Sequence, residues 1–440
     1  MWRGFMAETT VKDPTNLDNR ESKQFYWGAD PSADSLTIGN LAALMMCACF
    51  VRHGYKPYLL VGGATGQIGD PKDTGERELK TLEEVEHNKR CIKEQIERVI
   101  SGNAGGVAQT GGTPTEARSV SEHAVGARGL RQDPVVMVDN YDWFKDFKYL
   151  DFLRTVGKAF SMTQLMDRKF IQSRMGDGGS GISYAEFSYT LIQGYDFLHL
   201  YQQYGIDLQL CGADQYGNAS SGITLIRKFE NHTADVWSTP LVIDPITGRK
   251  FGKSEGNAIW LASKDNGSGN FTSVFDFYQF WLNQPDSSVE YLMKIYTVYS
   301  KEEVEEILAR HAEHPELRGA QKTLAYGATS VVHGEEAARG VAELTAKLFS
   351  KDATFSLKDL EVASENFPVV RQGLTAMETL VESGLASSKK EAKTFLKSSA
   401  ISAIQPSESS AVSSKLTETE TIIDRPTLLK RGKNKFAVVK

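Results

Sequence analysis

The chain has 440 residues, a mass of 48.6 kDa and a formal net charge of −6. That length suits two or three domains with ample chain to bury a core. The mild acidity excludes attraction of the whole molecule to nucleic acid, so any RNA contact has to come from local basic patches, of which the C-terminal end (Arg425, Lys430, Arg431, Lys433, Lys435, Lys440) is one.

In chain order, Glu8, Asp13 and Asp18 argue against a transit peptide at the N-terminus. Gln24–Tyr26, followed by Gly28, reads as a strand entering a loop, and Leu41–His53 as a helix. The apolar run Leu41–Val51 is far shorter than the roughly 20 residues of a membrane span, and no membrane association is expected. Cys47 and Cys49 in that run read as buried helix packing, because free cysteine behaves as a small hydrophobe. With Cys91 and Cys211 they lack paired metal spacing, so neither a metal site nor a disulfide framework is expected, and a reducing, cytoplasmic setting fits.

Tyr58–Gly62 is a short apolar run ending at glycines, as in a buried parallel strand. Thr81–Ile100 is a charged amphipathic helix and Val135–Asn140 another strand. Strand, helix, strand, helix in this order predicts a parallel sheet with helices on both faces. Between them, residues 102–132 are rich in Gly, Thr, Ala and Ser without a hydrophobic period, which reads as a mobile surface insertion. Tyr149–Leu165 and Ala185–Tyr204 are predicted helices, Asp207–Cys211 a strand and Ser220–Glu230 a helix, after which Leu241–Ile243 leads into a lysine-bearing loop. Helical patterns dominate Thr272–Phe349. Lys351–Pro368 reads as a linker with one short helix, and Val369–Lys440 as a separate small domain: a helical pair, Ala376–Ser383 and Ser388–Lys397, then short strands.

Two segments carry the chemistry. Gly28-Ala-Asp-Pro-Ser-Ala-Asp-Ser-Leu-Thr-Ile-Gly-Asn40 lies at a strand-to-helix turn, where helix-start N–H groups favour phosphate and small Gly28 and Gly39 admit a nucleotide. Lys250-Phe-Gly-Lys-Ser254 supplies two positive charges and a hydroxyl donor on a segment that Gly252 and Gly256 free to move as a lid. Alone, the second segment reads more readily as a solvated basic turn; the order and separation of the pair carry the inference.

Together they resemble the two signatures of class I aminoacyl-tRNA synthetases. Three further stretches narrow the resemblance to the bacterial type of tyrosyl-tRNA synthetase: Val61-Gly-Gly-Ala-Thr-Gly-Gln-Ile-Gly-Asp-Pro71, Phe187-Ser-Tyr-Thr-Leu-Ile-Gln-Gly-Tyr-Asp196 and Cys211-Gly-Ala-Asp-Gln-Tyr-Gly-Asn218. The resemblance implies a Rossmann-like α/β catalytic domain with a parallel sheet over residues 1–260, its lysine loop at 246–258. An α-helical anticodon-side domain (261–350), a linker (351–368) and a small α+β S4-like RNA-binding domain (369–440) follow. The implied reaction is activation of L-tyrosine by ATP, with Mg2+ arriving on the nucleotide and no tightly bound cofactor, then transfer to tRNA(Tyr). The implied assembly is a homodimer, for which Asn140–Leu165 is a candidate face.

By the same resemblance, Tyr26 and Asp196 bind the phenolic hydroxyl, and Asp70, Tyr189 and Gln193 the ammonium group. Asp30 helps position the ammonium or the adenylate. Gly212 and Asp214 meet the ribose, Gln215 the reacting carboxylate, Arg77 the pyrophosphate, and Lys250, Lys253 and Ser254 the phosphates. Thr37 and Asn40 stand where the family usually has two histidines, and Trp27 where a small residue often sits. In the last domain, Gly384-Leu-Ala-Ser-Ser-Lys-Lys-Glu-Ala-Lys393 and Leu428-Leu-Lys-Arg-Gly-Lys-Asn-Lys-Phe436 resemble the S4 pattern, giving Lys389, Lys390, Lys393, Lys397, Arg431 and Lys433 as RNA contacts. The residues support this chemistry in their own right. An ammonium group needs a carboxylate and neutral acceptors, and Tyr189, Gln193 and Asp196 share one helix face by spacing. Two other readings exist: a tryptophanyl enzyme, against which the Tyr26–Asp196 pair favours a phenol over an indole, and a non-catalytic RNA-binding protein on the same scaffold, for which Thr37 speaks.

Overall fold

The structure is a computed structural model that describes residues 2–70, 79–104, 135–166, 169–175, 181–243, 248, 258–350, 354–407 and 412–440. Most of the expected insertion at 102–132 and of the lysine loop at 246–258 lies outside these residues. The chain divides into two compact units, Met1–Thr272 with Pro285–Ala320, and Ser273–Gln284 with Gln321–Lys440. The stretch 261–350 contributes to both.

The first unit is built on five parallel strands, β1 (Gln24–Ala29), β2 (Lys56–Val61), β3 (Val136–Asp139), β4 (Leu208–Gly212) and β5 (Asp235–Thr239), in the order β3-β2-β1-β4-β5. Tyr26 stands opposite Tyr58 on β2 and Gln209 on β4. Burial is nearly continuous along β2 and β4, as expected where helices cover both sheet faces. The helices are α1 (Ile38–Arg52), the one-turn α2 (Thr65–Ile68), α3 (Leu82–Ala104), α4 (Tyr141–Phe144), α5 (Tyr149–Thr155), α6 (Met162–Met166), α7 (Lys169–Met175), α8 (Tyr184–Tyr204) and α9 (Tyr216–Glu230).

Two local features differ from the sequence expectation. The helix predicted over Tyr149–Leu165 is broken: α5 ends at Thr155, a 3-10 turn spans Gly157–Ala159, and Phe160 is extended before α6. Glycine weakens a helix at that point. Strand β5 carries no clear apolar period and was not predicted. It pairs on its outer edge with residues 7–10, where Ala7 N–H donates to Ser238 O, Ser238 N–H to Glu8 O and Thr10 N–H to Val236 O. The first described residues are tied to the same unit. Buried Arg3 donates to the carbonyls of Lys294, Thr297 and Tyr299, satisfying the open end of the Asp286–Tyr296 helix.

Helix α8 starts at a capping box, Ser183 with Glu186, and stops at left-handed Gly205 (φ 70°). It lies close against α9 because glycines face the contact. A Cβ on Gly222 would come 2.5 Å from the Cβ of Phe197, the residue after Asp196, so a larger residue at 222 displaces the wall that carries Asp196.

The second unit holds a five-stranded sheet, β6 (Val369–Val370), β7 (Ile401–Gln405), β8 (Val412–Leu416), β9 (Thr427–Arg431) and β10 (Lys435–Val439), ordered β6-β10-β9-β7-β8. Helices Ala376–Glu382 and Lys389–Lys397 bury Leu380, Ala392 and Leu396 with Leu429 and Val439 of the sheet.

Candidate active site

The site lies at the carboxyl ends of β1 to β4, where open parallel sheets bind ligands. Asp30 follows β1, Gly62 and Gly63 follow β2, Asn140 follows β3, and Asp214 follows β4. Helix α8 crosses this edge with Tyr189, Gln193 and Asp196.

At one end is Asp196, 2 % exposed. Its Oδ2 accepts from Asn140 Nδ2 at 3.1 Å and its Oδ1 from Trp143 Nε1 at 2.9 Å. Burial pushes its carboxyl well above the ordinary range, against those two donors and with the help of Asp30 and Asp139. Tyr26 is buried with its hydroxyl unpartnered among the described residues. Burial, then the charge of Asp196, drive its phenol well up.

At the other end Asp30 and Asp70 converge. Asp30 Oδ2 accepts from the Tyr189 hydroxyl at 2.7 Å and Oδ1 from Thr65 Oγ1 at 2.6 Å. Burial first, then Asp30 and Asp70, raise the Tyr189 phenol well above its usual value. Asp70 accepts from Gln215 Nε2 at 2.9 Å and Asn218 Nδ2 at 3.3 Å. Gln193 Oε1 is buried and unpartnered among the described residues. Asn140 joins the two ends, since its Oδ1 accepts from Ala64 N–H at 2.7 Å and its Nδ2 also donates to Thr65 Oγ1. Neighbouring Asp139 holds Gly63 N–H at 3.1 Å and is itself paired with Lys89.

A third region is the start of α1. Thr37 sits at the N-cap in extended conformation. Its N–H and its hydroxyl both donate to Asn40 Oδ1, at 3.1 and 3.0 Å. The chain returning from the lysine loop pairs with the same turn: Ile38 N–H donates to Ile259 O at 3.1 Å and Leu261 N–H to Leu36 O at 2.8 Å. The described end of that loop is thereby anchored on the first signature.

Residues 18–350 match the family of class I tRNA synthetases (W and Y), and residues 356–439 match the SYY-like C-terminal domain of tyrosine–tRNA ligases. The chain belongs to the class I tRNA synthetases.

Relatives of this synthetase agree along its whole length. The tyrosine–tRNA ligase of Geobacillus kaustophilus is 37% identical, with 100% of this chain and 98% of the relative aligned. That of Streptococcus agalactiae is 36% identical over 99% and 97%. Among solved structures, the C-terminally truncated mitochondrial tyrosyl-tRNA synthetase of Aspergillus nidulans has a TM-score of 0.64 at 26% identity, covering 79% of this chain and 92% of its own. The Coccidioides posadasii counterpart has a TM-score of 0.62 at 26% identity, covering 78% and 89%.

The structure of the synthetase brings Tyr26, Asp30, Asp70, Tyr189, Gln193, Asp196 and Gln215 to one edge of the sheet. Gly28 is open to solvent at β1, Gly39 lies in the first turn of α1, Gly212 ends β4 and exposed Asp214 follows it. Trp27, 4 % exposed, is packed in the core. Lys250, Lys253, Ser254 and Arg77 lie outside the described residues. Four residues that hold the site together escaped the sequence reading: Thr65, Asn140, Trp143 and Asn218. A signal existed for the middle two, because Asn140-Tyr-Asp-Trp143 follows a predicted parallel strand directly, at the edge where ligands bind.

On the S4-like part of the synthetase, Lys389, Lys390, Lys393, Lys397 and Lys433 are exposed. Arg431 is turned inward: its guanidinium lies 4.6 Å from the Phe395 ring centre, donates to Leu385 O and stands 3.9 Å from Glu391.

Proposed function

We propose that this synthetase is a tyrosine–tRNA ligase with its amino-acid pocket between α8 and the ends of β1 to β3. One observation carries the reading. Tyr26 Oη and Gln193 Oε1 are both buried without a partner among the described residues, on the same edge as Asp196. Buried polar atoms left open call for a ligand that satisfies them. A tyrosine does so at both ends. Its phenol donates to Asp196 and accepts from Tyr26, while its ammonium group meets Gln193, Tyr189, Asp70 and Asp30.

In the first step a carboxylate oxygen of tyrosine bonds to the α-phosphorus of ATP as the bond to the β-phosphate breaks and pyrophosphate leaves. The protein orients two anions and offsets developing charge. Gln215 faces the carboxylate, Asp214 with Gly212 the ribose, and Gly28, Gly39 and Asn40 the nucleotide. Lys250, Lys253, Ser254 and Arg77 serve the departing pyrophosphate. Mg2+ enters as part of the ATP substrate. In the second step a hydroxyl at the 3′ end of the tRNA takes the tyrosyl group and AMP leaves.

The exposed lysines of residues 389–433 make phosphate contacts to tRNA(Tyr), and Arg431 supports them from within. A second copy of the chain covers the apolar face of Tyr149, Leu150, Met162 and Tyr184, which are 61 to 75 % exposed. Among the described residues no helix is long and apolar enough to cross a membrane, and cytoplasmic function is the reading adopted.

The test is amino-acid-dependent exchange of labelled pyrophosphate into ATP. Exchange with tyrosine but not phenylalanine or tryptophan is expected. Exchange with tryptophan alone would transfer the assignment to an indole substrate, and none from folded protein would leave an RNA-binding role. In the same assay Tyr26→Phe removes a hydroxyl that has no partner among the described residues. Its melting temperature is expected to hold or rise, while discrimination against phenylalanine falls roughly tenfold or more. A marked loss of stability with unchanged discrimination would place the Tyr26 hydroxyl in the fold instead of the pocket.

A further inference from the structure

Thr37 and Asn40 make contacts that assign them different jobs. The Thr37 backbone N–H, which can only donate, faces the Asn40 side chain at 3.1 Å. The atom it meets must therefore be the carbonyl oxygen of the amide, which fixes the orientation of a group otherwise free to flip. The Thr37 hydroxyl donates to the same oxygen at 3.0 Å. Asn40 N–H in turn faces the Thr37 hydroxyl in the reciprocal half of the capping box. With Oδ1 held twice, the Nδ2 hydrogens of Asn40 are directed away from Thr37, and they have no partner among the described residues.

Helix starts usually attract anions through free backbone N–H groups. Here most are already used. Thr37 N–H goes to Asn40 Oδ1, Ile38 N–H to Ile259 O and Leu41 N–H to Thr37 O. Among the described residues that leaves Gly39 N–H open, and Asn40 N–H turned towards the Thr37 hydroxyl without a hydrogen bond to it. The side-chain amide is then the main donor that α1 presents.

We propose that Thr37 is a positioning residue that locks the Asn40 amide with its NH2 outward, and that Asn40 Nδ2, not the Thr37 hydroxyl, is the group at the start of α1 that donates to ATP. This rests on the reading of that turn as the nucleotide site. The pair forms a unit: a threonine at 37 is useful because an asparagine stands at 40.

A double-mutant cycle separates this from a direct role. Thr37→Val, Asn40→Ala and the double variant are compared in tyrosine-dependent pyrophosphate exchange and in calorimetric binding of Mg·ATP, with melting temperatures recorded for each. Thr37→Val is expected to lower kcat/KM for ATP by about three- to tenfold, and Asn40→Ala by about a hundredfold. The double variant should lie within about twofold of Asn40→Ala alone, because Thr37 has nothing left to position. Thr37→Ser keeps both donors and should restore activity. A Thr37→Val loss that is undiminished in the Asn40→Ala background would overturn the proposal and make the Thr37 hydroxyl an ATP ligand itself. So would a loss that follows the melting temperature alone and appears neither in kcat nor in ATP affinity. Absence of exchange and of ATP binding in the wild type would instead sink the nucleotide-site reading.

Discussion

Asp196→Asn is expected to lower kcat/KM for tyrosine by about two to three orders of magnitude while leaving KM for ATP within about twofold. Both Asp196 oxygens accept hydrogen bonds, from Asn140 Nδ2 and Trp143 Nε1. An asparagine offers one acceptor oxygen, so its NH2 meets one of those donors head-on. Asn140 cannot turn to relieve this, because its own oxygen is held by the donor-only Ala64 N–H. The phenol of the substrate then loses a charged acceptor in a buried site, where such bonds are strongest. Equal losses for tyrosine and ATP, or a loss below about tenfold, would take Asp196 out of the phenol site.

The same carboxylate sets a pH dependence. Its pKa in the fold stands above the ordinary 3.8, burial being the main cause. A protonated Asp196 places a hydroxyl against donors and cannot accept the phenol proton in the same way. Activity towards tyrosine is therefore expected to fall with decreasing pH sooner than for an exposed aspartate. Stability moves oppositely. Between 3.8 and the raised value the folded state binds more protons than the unfolded chain, so this group's contribution to unfolding free energy falls as pH rises through that window. Activity and ligand-free stability thus run in opposite senses across one titration.

Much of this site was readable because its residues lie in short contiguous motifs. Tyr189, Gln193 and Asp196 follow helical spacing, and α8 carries all three. Asp70 and the glycines before it mark a turn after an apolar strand. What the sequence did not disclose depends on pairing between distant segments. Asn140 matters because β3 lies beside β2 with Asp139 opposite Val61, which brings it over Ala64 and Thr65. Trp143 reads locally as an aromatic in a polar stretch, and only tertiary structure turns its N–H to Asp196. Strand β5 was missed because Asp235-Val-Trp-Ser-Thr239 mixes polar and apolar residues and stops at Pro240. Its burial is imposed by α9 and by residues 7–10. Arg431 shows the limit of charge counting: it belongs to a basic cluster in sequence, yet its guanidinium is held against Phe395 and Leu385 O.

Glu186→Ala is expected to cost the first unit about 3–5 kcal/mol, read from its denaturant unfolding transition. Arg174 and Glu186 form a two-pronged ion pair, 3.1 and 3.0 Å, with side chains only 3 and 2 % exposed. Glu186 Oε2 also accepts from Ser183 N–H at 3.2 Å, closing the capping box at the start of α8. Arg174 Nε donates to Gly181 O at 2.7 Å, which fastens α7 to the chain entering α8. Truncating Glu186 takes the carboxylate away from a buried guanidinium and opens the first turn of the helix that carries Tyr189. Replacing both partners, Arg174→Met with Glu186→Leu, should recover most of the loss, because the penalty comes from removing one side of a buried pair rather than from a large net gain of the pair. Glu186→Gln keeps the cap acceptor and should fall between. Hydrogen exchange should then show the first α8 turn opening in Glu186→Ala, with KM for tyrosine rising and kcat little changed, because the helix supplies binding groups. A loss under about 1 kcal/mol would mean that the pair is solvated and behaves as a surface bridge, and α8 would then owe its position to the glycine-lined contact with α9 and to the hydrogen bonds of Tyr189 and Asp196.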